Sequence, residues 1–239
     1  MKKKILFKMV SLFTMMCLPF LSMAHGYWFE TQGSGKIGSP VKILMFYGEY
    51  ASGIREKGDR LNKMNELSVS VIDGDGNQSA ITMTQQETHW EGTFTPKKEG
   101  TYQVLAINDT REVQDWTKHN LGVTRPVQFL RTIYQVGKTN SAKNKLQFLD
   151  ITVSKEKDKV LLTTYKDQKG LPKTKVTVIN PQTWEKSLFT NEKGESSFTP
   201  TGKGMYLVEL EWIDNTPGTF KGKDYQTIRY KSETTFVLD

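Results

Sequence analysis

Apolar and polar side chains alternate with a period of two along most of the chain, and helical periodicity is almost absent. This alternation is typical of β-strands that bury one face. It predicts strands over residues 41–47, 67–72, 80–84, 90–95, 102–107, 127–136, 146–153, 159–165, 175–179, 196–199, 205–213 and 225–238. The run Asp-Gly-Asp-Gly-Asn at residues 73–77 predicts a hairpin turn between two of them. The pattern therefore predicts an all-β protein.

An internal repeat predicts how these strands are organised. The motif Phe-Thr-Pro-x-x-x-Gly-x-Tyr-x-Val occurs at residues 94–104 and again at residues 198–208, each time after a Val-x-Val-Ile strand. In both copies a proline ends one strand, a glycine allows a turn, and Tyr and Val alternate on the returning strand. The repeat predicts two tandem immunoglobulin-like or prealbumin-like β-sandwich domains, over residues 25–145 and 146–239, with a polar linker at residues 137–145.

The first 24 residues have the composition of a cleavable signal peptide. Three lysines precede an apolar run at residues 5–23, and Ser-Met-Ala at residues 22–24 offers small side chains at the two positions that a signal peptidase inspects. Cleavage after Ala24 predicts export, with the bacterial periplasm as the expected location. The sequence after the signal contains no apolar stretch long enough to span a bilayer.

Removal of the signal changes the charge and the available chemistry. The full chain has a net charge of +7, but four lysines and no acidic residues lie in the signal, which leaves 29 basic and 26 acidic residues. Because these charges are interspersed, neither nucleic acid nor an anionic membrane is predicted as a partner. Cys17 is the only cysteine and lies in the signal, so disulfides, thiolate metal sites and cysteine nucleophiles are excluded from the exported chain.

The same cleavage would make His25 the first residue of the exported protein. Its α-amine and imidazole could then chelate one metal ion through two nitrogens, which suits copper, nickel or zinc. The alternative is an ordinary frayed N-terminus. Trp28, with Tyr27 and Phe29, would pack beside this site and hold the terminus still, or would simply belong to the first core strand.

Further ligands would have to come from elsewhere in the chain. The chain has three histidines, His25, His89 and His119, and all of them fall in the first predicted domain. Several carboxylates could complete a site, and the candidates are Glu30, Glu49, Asp115, Glu209 and Glu211. A nitrogen-rich set would prefer Cu(II) on intrinsic affinity. The alternative for each of these residues is an exposed position on a strand or loop.

Three segments carry a resemblance to a known family. They are Ala-His-Gly-Tyr-Trp at residues 24–28, Gly-Leu-Pro-x-x-x-Val at residues 170–176 and Asn-Glu-Lys-Gly-x-x-x-Phe at residues 191–198. In these the chain resembles periplasmic two-sandwich proteins of an uncharacterised domain associated with nickel and cobalt uptake. The resemblance implies His25 as a metal ligand, Trp28 as a packing residue, and a membrane metal transporter or outer-membrane receptor as partner. Gly48-Glu49 matches a family dipeptide, and Glu211 lies where some relatives carry a histidine.

These observations lead to one expectation and two alternatives. We expect a non-enzymatic exported protein that captures or delivers nickel, cobalt or copper. Because His-Gly-Tyr also resembles the mature start of lytic polysaccharide monooxygenases, a copper enzyme is the first alternative. The second is an adhesion or carbohydrate-binding module in which exposed tryptophans stack on sugars, with Trp90, Trp116, Trp184 and Trp212 as the candidates.

Overall fold

A computed structural model of the protein describes residues 25–137 and 146–238. The predicted signal peptide and most of the predicted linker lie outside these residues. The described chain forms 20 strands and two 3₁₀ segments, Gly58–Glu66 and Thr117–His119. The strands are β1 (Gly26–Gln32), β2 (Val41–Glu49), β3 (Ile54–Arg55), β4 (Ser68–Ile72), β5 (Gln78–Ala80), β6 (Thr84–Gln85), β7 (Trp90–Phe94), β8 (Gly100–Asn108), β9 (Gln114–Asp115), β10 (Val123–Val136), β11 (Leu149–Glu156), β12 (Lys159–Lys166), β13 (Lys169–Gly170), β14 (Lys175–Ile179), β15 (Glu185–Phe189), β16 (Glu195–Phe198), β17 (Gly204–Asp214), β18 (Gly218–Phe220), β19 (Lys223–Tyr225) and β20 (Thr227–Leu238). The predicted all-β fold class is confirmed.

Three sheets build the molecule. The central sheet has nine strands in the order β15-β14-β17-β20-β10-β8-β4-β5, with β9 added beside β10. The N-terminal sheet contains β1, β2, β7 and β6 with β3 beside β2, and the C-terminal sheet contains β11, β12 and β13 with β16 beside β12. Strands β18 and β19 form a separate hairpin.

The central sheet runs through both predicted domains. Its two halves meet where β10 and β20 pair in parallel, from Thr124 opposite Thr227 to Thr132 opposite Thr235. All other strand pairs are antiparallel. The two sandwiches are therefore joined by backbone hydrogen bonds between β10 and β20.

The two outer sheets cover opposite faces of the central sheet. Adjacent residues of a strand point to opposite faces, and Leu130 belongs to the core under the N-terminal sheet while Phe129 belongs to the core under the C-terminal sheet. A third, smaller core lies between the other face of the N-terminal sheet and the second half of the central sheet, where Trp28 and Phe46 pack near Leu207. The N-terminal sheet is thus buried on both faces.

The repeated motif forms the same local structure twice. The hydroxyl of Tyr102 accepts hydrogen bonds from the backbone N–H groups of Lys97 and Lys98 and donates to the carbonyl of Lys98. The hydroxyl of Tyr206 does the same with the backbone of Thr201 and Gly202. Each tyrosine thereby closes the loop that precedes its own strand.

One predicted strand is divided in the structure. The segment at residues 80–84 was expected to be continuous, but β5 ends at Ala80 in the central sheet and β6 begins at Thr84 in the N-terminal sheet. Ile81 lies between them, is buried, and donates its N–H to the carbonyl of Val69. The chain changes sheets here because this single side chain enters the core. Strands β3, β9, β13, β15 and β18 had no counterpart among the predicted strands, and β1 corresponds to the alternative that Tyr27, Trp28 and Phe29 belong to the first core strand.

The hairpin turn predicted at residues 73–77 is confirmed. The backbone N–H of Asp73 donates to the carbonyl of Asn77, and its carboxylate accepts the N–H groups of Asp75 and Asn77. These bonds lower the pKa of Asp73, with the hydrogen bond from the Asn77 side chain as the largest cause. The acidic loop therefore binds its own backbone, as expected for a turn.

Candidate functional site

His25 stands directly before β1, and its imidazole is held by a carboxylate. Nε2 lies 2.8 Å from Oε1 of Glu56, and Nη1 of Arg60 donates to the same oxygen at 2.8 Å. The hydrogen bond from His25 is the largest cause that lowers the pKa of Glu56, so this carboxyl stays ionised. Because an ionised carboxylate can only accept, Nε2 carries a proton in this contact, and in the neutral form of the ring Nδ1 presents a lone pair.

The imidazole also packs on aromatic side chains. Its ring centroid lies 5.3 Å from that of Tyr47, which in turn stacks on Tyr27 at 4.8 Å. Trp28 is 1% exposed, lies 5.5 Å from Phe46, and donates its indole N–H to Glu30 at 3.1 Å. The segment that follows His25 is therefore fixed in the core, which makes His25 a positioned residue.

A cavity of about 570 Å³ opens beside His25. Its walls come from β1 and β2, from the loop that follows β9, and from the neighbouring strands β10 and β20. His119 lines the same cavity and is exposed on the second 3₁₀ segment. The structure thus brings two of the three histidines, His25 and His119, to one cavity.

Four cationic side chains line this cavity, and none of its lining residues is acidic. They are Lys63, Arg111, Arg229 and Lys231. The Cζ atoms of Arg111 and Arg229 lie 5.8 and 5.7 Å from the centroid of the Trp116 ring. Trp116 therefore holds both guanidinium groups at the wall through cation–π contacts.

A buried charged cluster lies under Gly26, the residue after His25. A Cβ at Gly26 would stand 3.1 Å from Glu233 Oε1, 3.2 Å from Lys231 Nζ and 3.3 Å from Glu209 Oε1. Lys231 is paired with both carboxylates, at 3.2 Å from Glu209 and 2.9 Å from Glu233. Glycine at this position allows the first strand to lie directly on the three charged groups.

The titration of this cluster is shifted by its environment. Burial raises the pKa of Glu233 to about 7, against the opposing effect of the Lys231 ammonium. The pKa of Lys231 is also raised: burial would lower it, but the two carboxylates outweigh that effect. Glu233 further accepts a hydrogen bond from the side chain of Gln128. The site therefore contains a carboxyl that can gain a proton near neutral pH.

The structure shows why the Gly-Glu dipeptide at residues 48–49 begins with glycine. It pairs with Gly26 across β1 and β2, has a φ of +152°, and a Cβ there would lie 2.1 Å from the carbonyl oxygen of Ile54. A side chain at Gly48 would therefore collide with β3. Glu49 ends β2, is half-buried, and is not among the residues that line the cavity.

The remaining predicted ligands have partners other than His25. The ring of His89 lies 5.4 Å from Phe46, on the face of β2 opposite Tyr47, and its Nδ1 contacts Thr88 at 3.0 Å. Glu211 pairs with Arg229, Glu30 with Arg55, and Asp115 accepts the N–H of Thr117. Across residues 25–137 and 146–238, no group of three or more His, Asp or Glu residues is arranged to hold a metal ion.

The four tryptophans considered for sugar stacking have different environments. Trp90 packs against the first core and donates to the carbonyl of Leu61, and Trp212 lies among Phe148 and Tyr230. Trp184 is 78% exposed at the start of the edge strand β15. Trp184 is therefore the most exposed of the four.

The sequence missed Arg111, Lys63 and the pairing of Lys231 with Glu233. Arg229, Lys231 and Glu233 alternate along β20, which in sequence is indistinguishable from a solvated strand face.

A second cavity of about 390 Å³, lined largely by apolar residues such as Phe129 and Phe148, contains no histidine. No helix in the described part of the chain is long and apolar enough to cross a membrane.

Fold and site together define an all-β protein of two sandwiches on one shared sheet, with a histidine-containing cavity at the junction. A family model, the domain of unknown function DUF4198, matches residues 22–214. The chain therefore belongs to the DUF4198 family. No curated protein matches the chain.

Two solved structures share a weak likeness with the chain. The BSP domain of a biofilm-associated protein is 11% identical with a TM-score of 0.22, over 87% of this chain and 29% of that one. The D0-D1 domain of intimin is 12% identical with a TM-score of 0.25, over 90% of this chain and 100% of that one. The chain thus spans less than a third of the first of these proteins, and likenesses this weak carry no argument for function.

Proposed function

We propose that this protein is exported and binds a transition metal ion, nickel, cobalt or copper, with His25 as its first residue. The hydrogen bond between His25 Nε2 and Glu56 carries the proposal. It leaves Nδ1 as the donor, and Nδ1 together with the α-amine of the same residue closes a six-membered chelate ring around a metal. Carboxylates that accept the second N–H of a ligating imidazole are a regular feature of metal sites.

His119 is the second protein ligand in this proposal. It lines the cavity beside His25 and stands on an exposed 3₁₀ segment, so it can approach an ion held by His25. Two imidazoles and an amine form a donor set that suits nickel, cobalt and copper better than magnesium or calcium. The metal is cargo here: the protein would capture it in the periplasm and deliver it to a membrane transporter or an outer-membrane receptor.

The test compares two exported chains that differ by one residue. Nickel, cobalt and copper are titrated into protein that begins at His25 and into protein that begins at Ala24. The added alanine converts the α-amine of His25 into an amide and breaks the six-membered amine–imidazole chelate, so we expect the affinity for nickel and cobalt to fall at least 100-fold. Copper is excepted from this expectation, because an Ala-His terminus still binds it through the new amine, the amide and the imidazole nitrogens. Equal affinity of both chains for nickel and cobalt would refute the proposal, as would mass spectrometry of the exported protein showing a different first residue.

Two variants add precision to this test. Glu56→Gln keeps the size of the side chain but weakens its hold on Nε2, and we expect metal affinity to fall about 10- to 100-fold. His89→Gln is the matched control, because His89 lies on the opposite face of the N-terminal sheet. We expect it to bind metal as the unaltered protein does.

A second candidate function is favoured by the same pair of histidines. Copper held by an N-terminal histidine and a second imidazole could oxidise a polysaccharide with peroxide as co-substrate. Copper-loaded protein incubated with peroxide and with chitin or cellulose would then release oxidised oligosaccharides. Their absence, with tight copper binding retained, would favour the transport role.

A further inference from the structure

The cavity beside His25 has a charge distribution that a metal site alone does not explain. Bare metal cations are repelled by cationic walls, yet Lys63, Arg111, Arg229 and Lys231 all line it. Arg229 is compensated by Glu211, and Lys231 by Glu209 and Glu233. Arg111 and Lys63 form no ion pair with any residue in the described chain. The cavity therefore presents two uncompensated positive charges.

Arg111 is positioned before any ligand arrives. Its backbone N–H donates to Asn108 Oδ1 at 3.0 Å, and Asn108 is itself buried and bonded to Glu66. Its Cζ lies 5.8 Å from the centroid of the Trp116 ring, and Cζ of Arg229 lies 5.7 Å from the same centroid. A guanidinium held over a ring can still make bidentate bonds to a carboxylate through its N–H edge.

Two tyrosine hydroxyls add neutral donors. Tyr27 and Tyr47 line the cavity, and neither hydroxyl has a hydrogen-bond partner among residues 25–137 and 146–238. A phenol hydroxyl is a hydrogen-bond donor, so both side chains can donate to an anion in the cavity.

Apart from Gln128, the remaining lining residues of the cavity are apolar or aromatic. They are Trp116, Leu121, Pro126 and Val127. A cavity of about 570 Å³ is within the range of small-molecule sites, which are about 300–1,000 Å³. Apolar walls give no advantage to an inorganic ion but do favour a carbon skeleton.

We infer that this cavity binds a small organic anion with two or more carboxylates, and that it does so without a metal ion. Arg111 is the main contact, Lys63 adds the second uncompensated charge, and the tyrosine hydroxyls donate to the remaining carboxylate oxygens. The inference does not depend on the metal proposal. If both hold, the organic anion and the metal occupy neighbouring parts of one site.

The test measures binding of citrate and succinate by calorimetry to exported protein freed of metal on a chelating resin. Sulfate is the inorganic control at the same ionic strength. We expect at least one of the two carboxylates to bind, with sulfate at least 10-fold weaker. Failure of both to bind at 10 mM, sulfate binding of equal strength, or a strict requirement for added nickel would each overturn the inference.

Charge-matched variants locate the site. Arg111→Gln is expected to weaken carboxylate binding at least 10-fold, and the exposed Lys63→Gln several-fold. Arg55→Gln is the control, because it removes the same charge from a residue that lies over Phe46 outside the cavity. Equal weakening in Arg111→Gln and Arg55→Gln would overturn the inference. Protein beginning at Ala24 should bind citrate normally, so that loss of metal chelation and loss of anion binding are separate results.

Discussion

The two halves of the molecule share a frame but differ in what they contribute to the site. Tyr102 and Tyr206 close equivalent loops, and each packs on the phenylalanine of its own repeat, at 5.4 Å from Phe94 and 5.7 Å from Phe198. The first half contains His25, and the second contains the Arg229 and Lys231 side chains that face it. The duplicated frame is structural, and the candidate site lies where the halves meet.

The junction differs from both cores in polarity. Along β10 and β20 a series of polar and charged side chains is buried, namely Thr124, Arg131, Thr132, Ser232, Glu233, Thr234 and Thr235. Buried polar groups are costly unless they are bonded. The guanidinium of Arg131 donates two hydrogen bonds to the carboxylate of Asp150. The hydroxyl of Thr235 donates to the carbonyl of Phe29. The junction is therefore held by bonded polar groups in addition to apolar packing.

The largest expected effect comes from breaking the ion pair that links the halves. Arg131 and Asp150 are fully buried, so Asp150→Ala leaves an uncompensated guanidinium. We expect the free energy of unfolding to fall by about 3–5 kcal/mol, measured by urea denaturation. Glu91→Gln, which breaks the exposed pair with Lys42, should cost less than about 1 kcal/mol. A loss below that level at Asp150 would show that the junction does not depend on this pair.

The second effect is a pH dependence specific to the junction. The pKa of Glu233 is about 7 when folded, above the ordinary value of 4.5, so the folded state holds the proton more tightly than the unfolded state. The free energy of unfolding should therefore fall as the pH rises from 4.5 to about 7, and it should stay constant at higher pH.

For a pKa shift of this size, the free energy of unfolding can fall by about 3 kcal/mol across this pH range. Glu233→Gln should abolish this pH dependence. Urea denaturation at pH 5 and pH 8 measures it, and Glu185→Gln, on the exposed edge strand β15, is the control. A slope that persists in Glu233→Gln would assign the titration to another group.

The third effect tests whether the two repeats are energetically equivalent. Tyr102→Phe and Tyr206→Phe each leave two backbone N–H groups without their acceptor, and each should cost about 1–3 kcal/mol. Thermal unfolding should give values that agree within about 0.5 kcal/mol. Tyr165→Phe, whose hydroxyl has no hydrogen-bond partner in the described chain, is the reference. A clear difference between the two repeats would mean that only one loop stabilises the fold.

The smallest effect on stability is expected at His119. It is exposed, so His119→Gln should change the free energy of unfolding by less than about 0.5 kcal/mol. The same variant should bind nickel, cobalt or copper about 10-fold more weakly, because one imidazole is lost. Calorimetric titration beside the unaltered protein measures it. Unchanged metal affinity would remove His119 from the proposed donor set.

Much of the fold could be predicted from the alternation of side chains, and strand β14 has the predicted bounds. The short strands β3, β9, β13 and β18 and the edge strand β15 escaped prediction because they bury few apolar residues, so alternation is weak there. Of the site, His25 and His119 were identified in sequence, but their shared cavity was not. The 93 residues between them in sequence carry no information about their distance in space.

The sequence by itself determined the all-β class, the duplicated tyrosine loops and His25 as the residue of interest, because these follow from local periodicity and motif chemistry. Tertiary structure decided that the halves share one sheet, that His89 faces away, and that Glu56, Arg111 and Lys231 come to His25. Strand pairing and packing between residues distant in sequence depend on the whole core, so no local pattern specifies them.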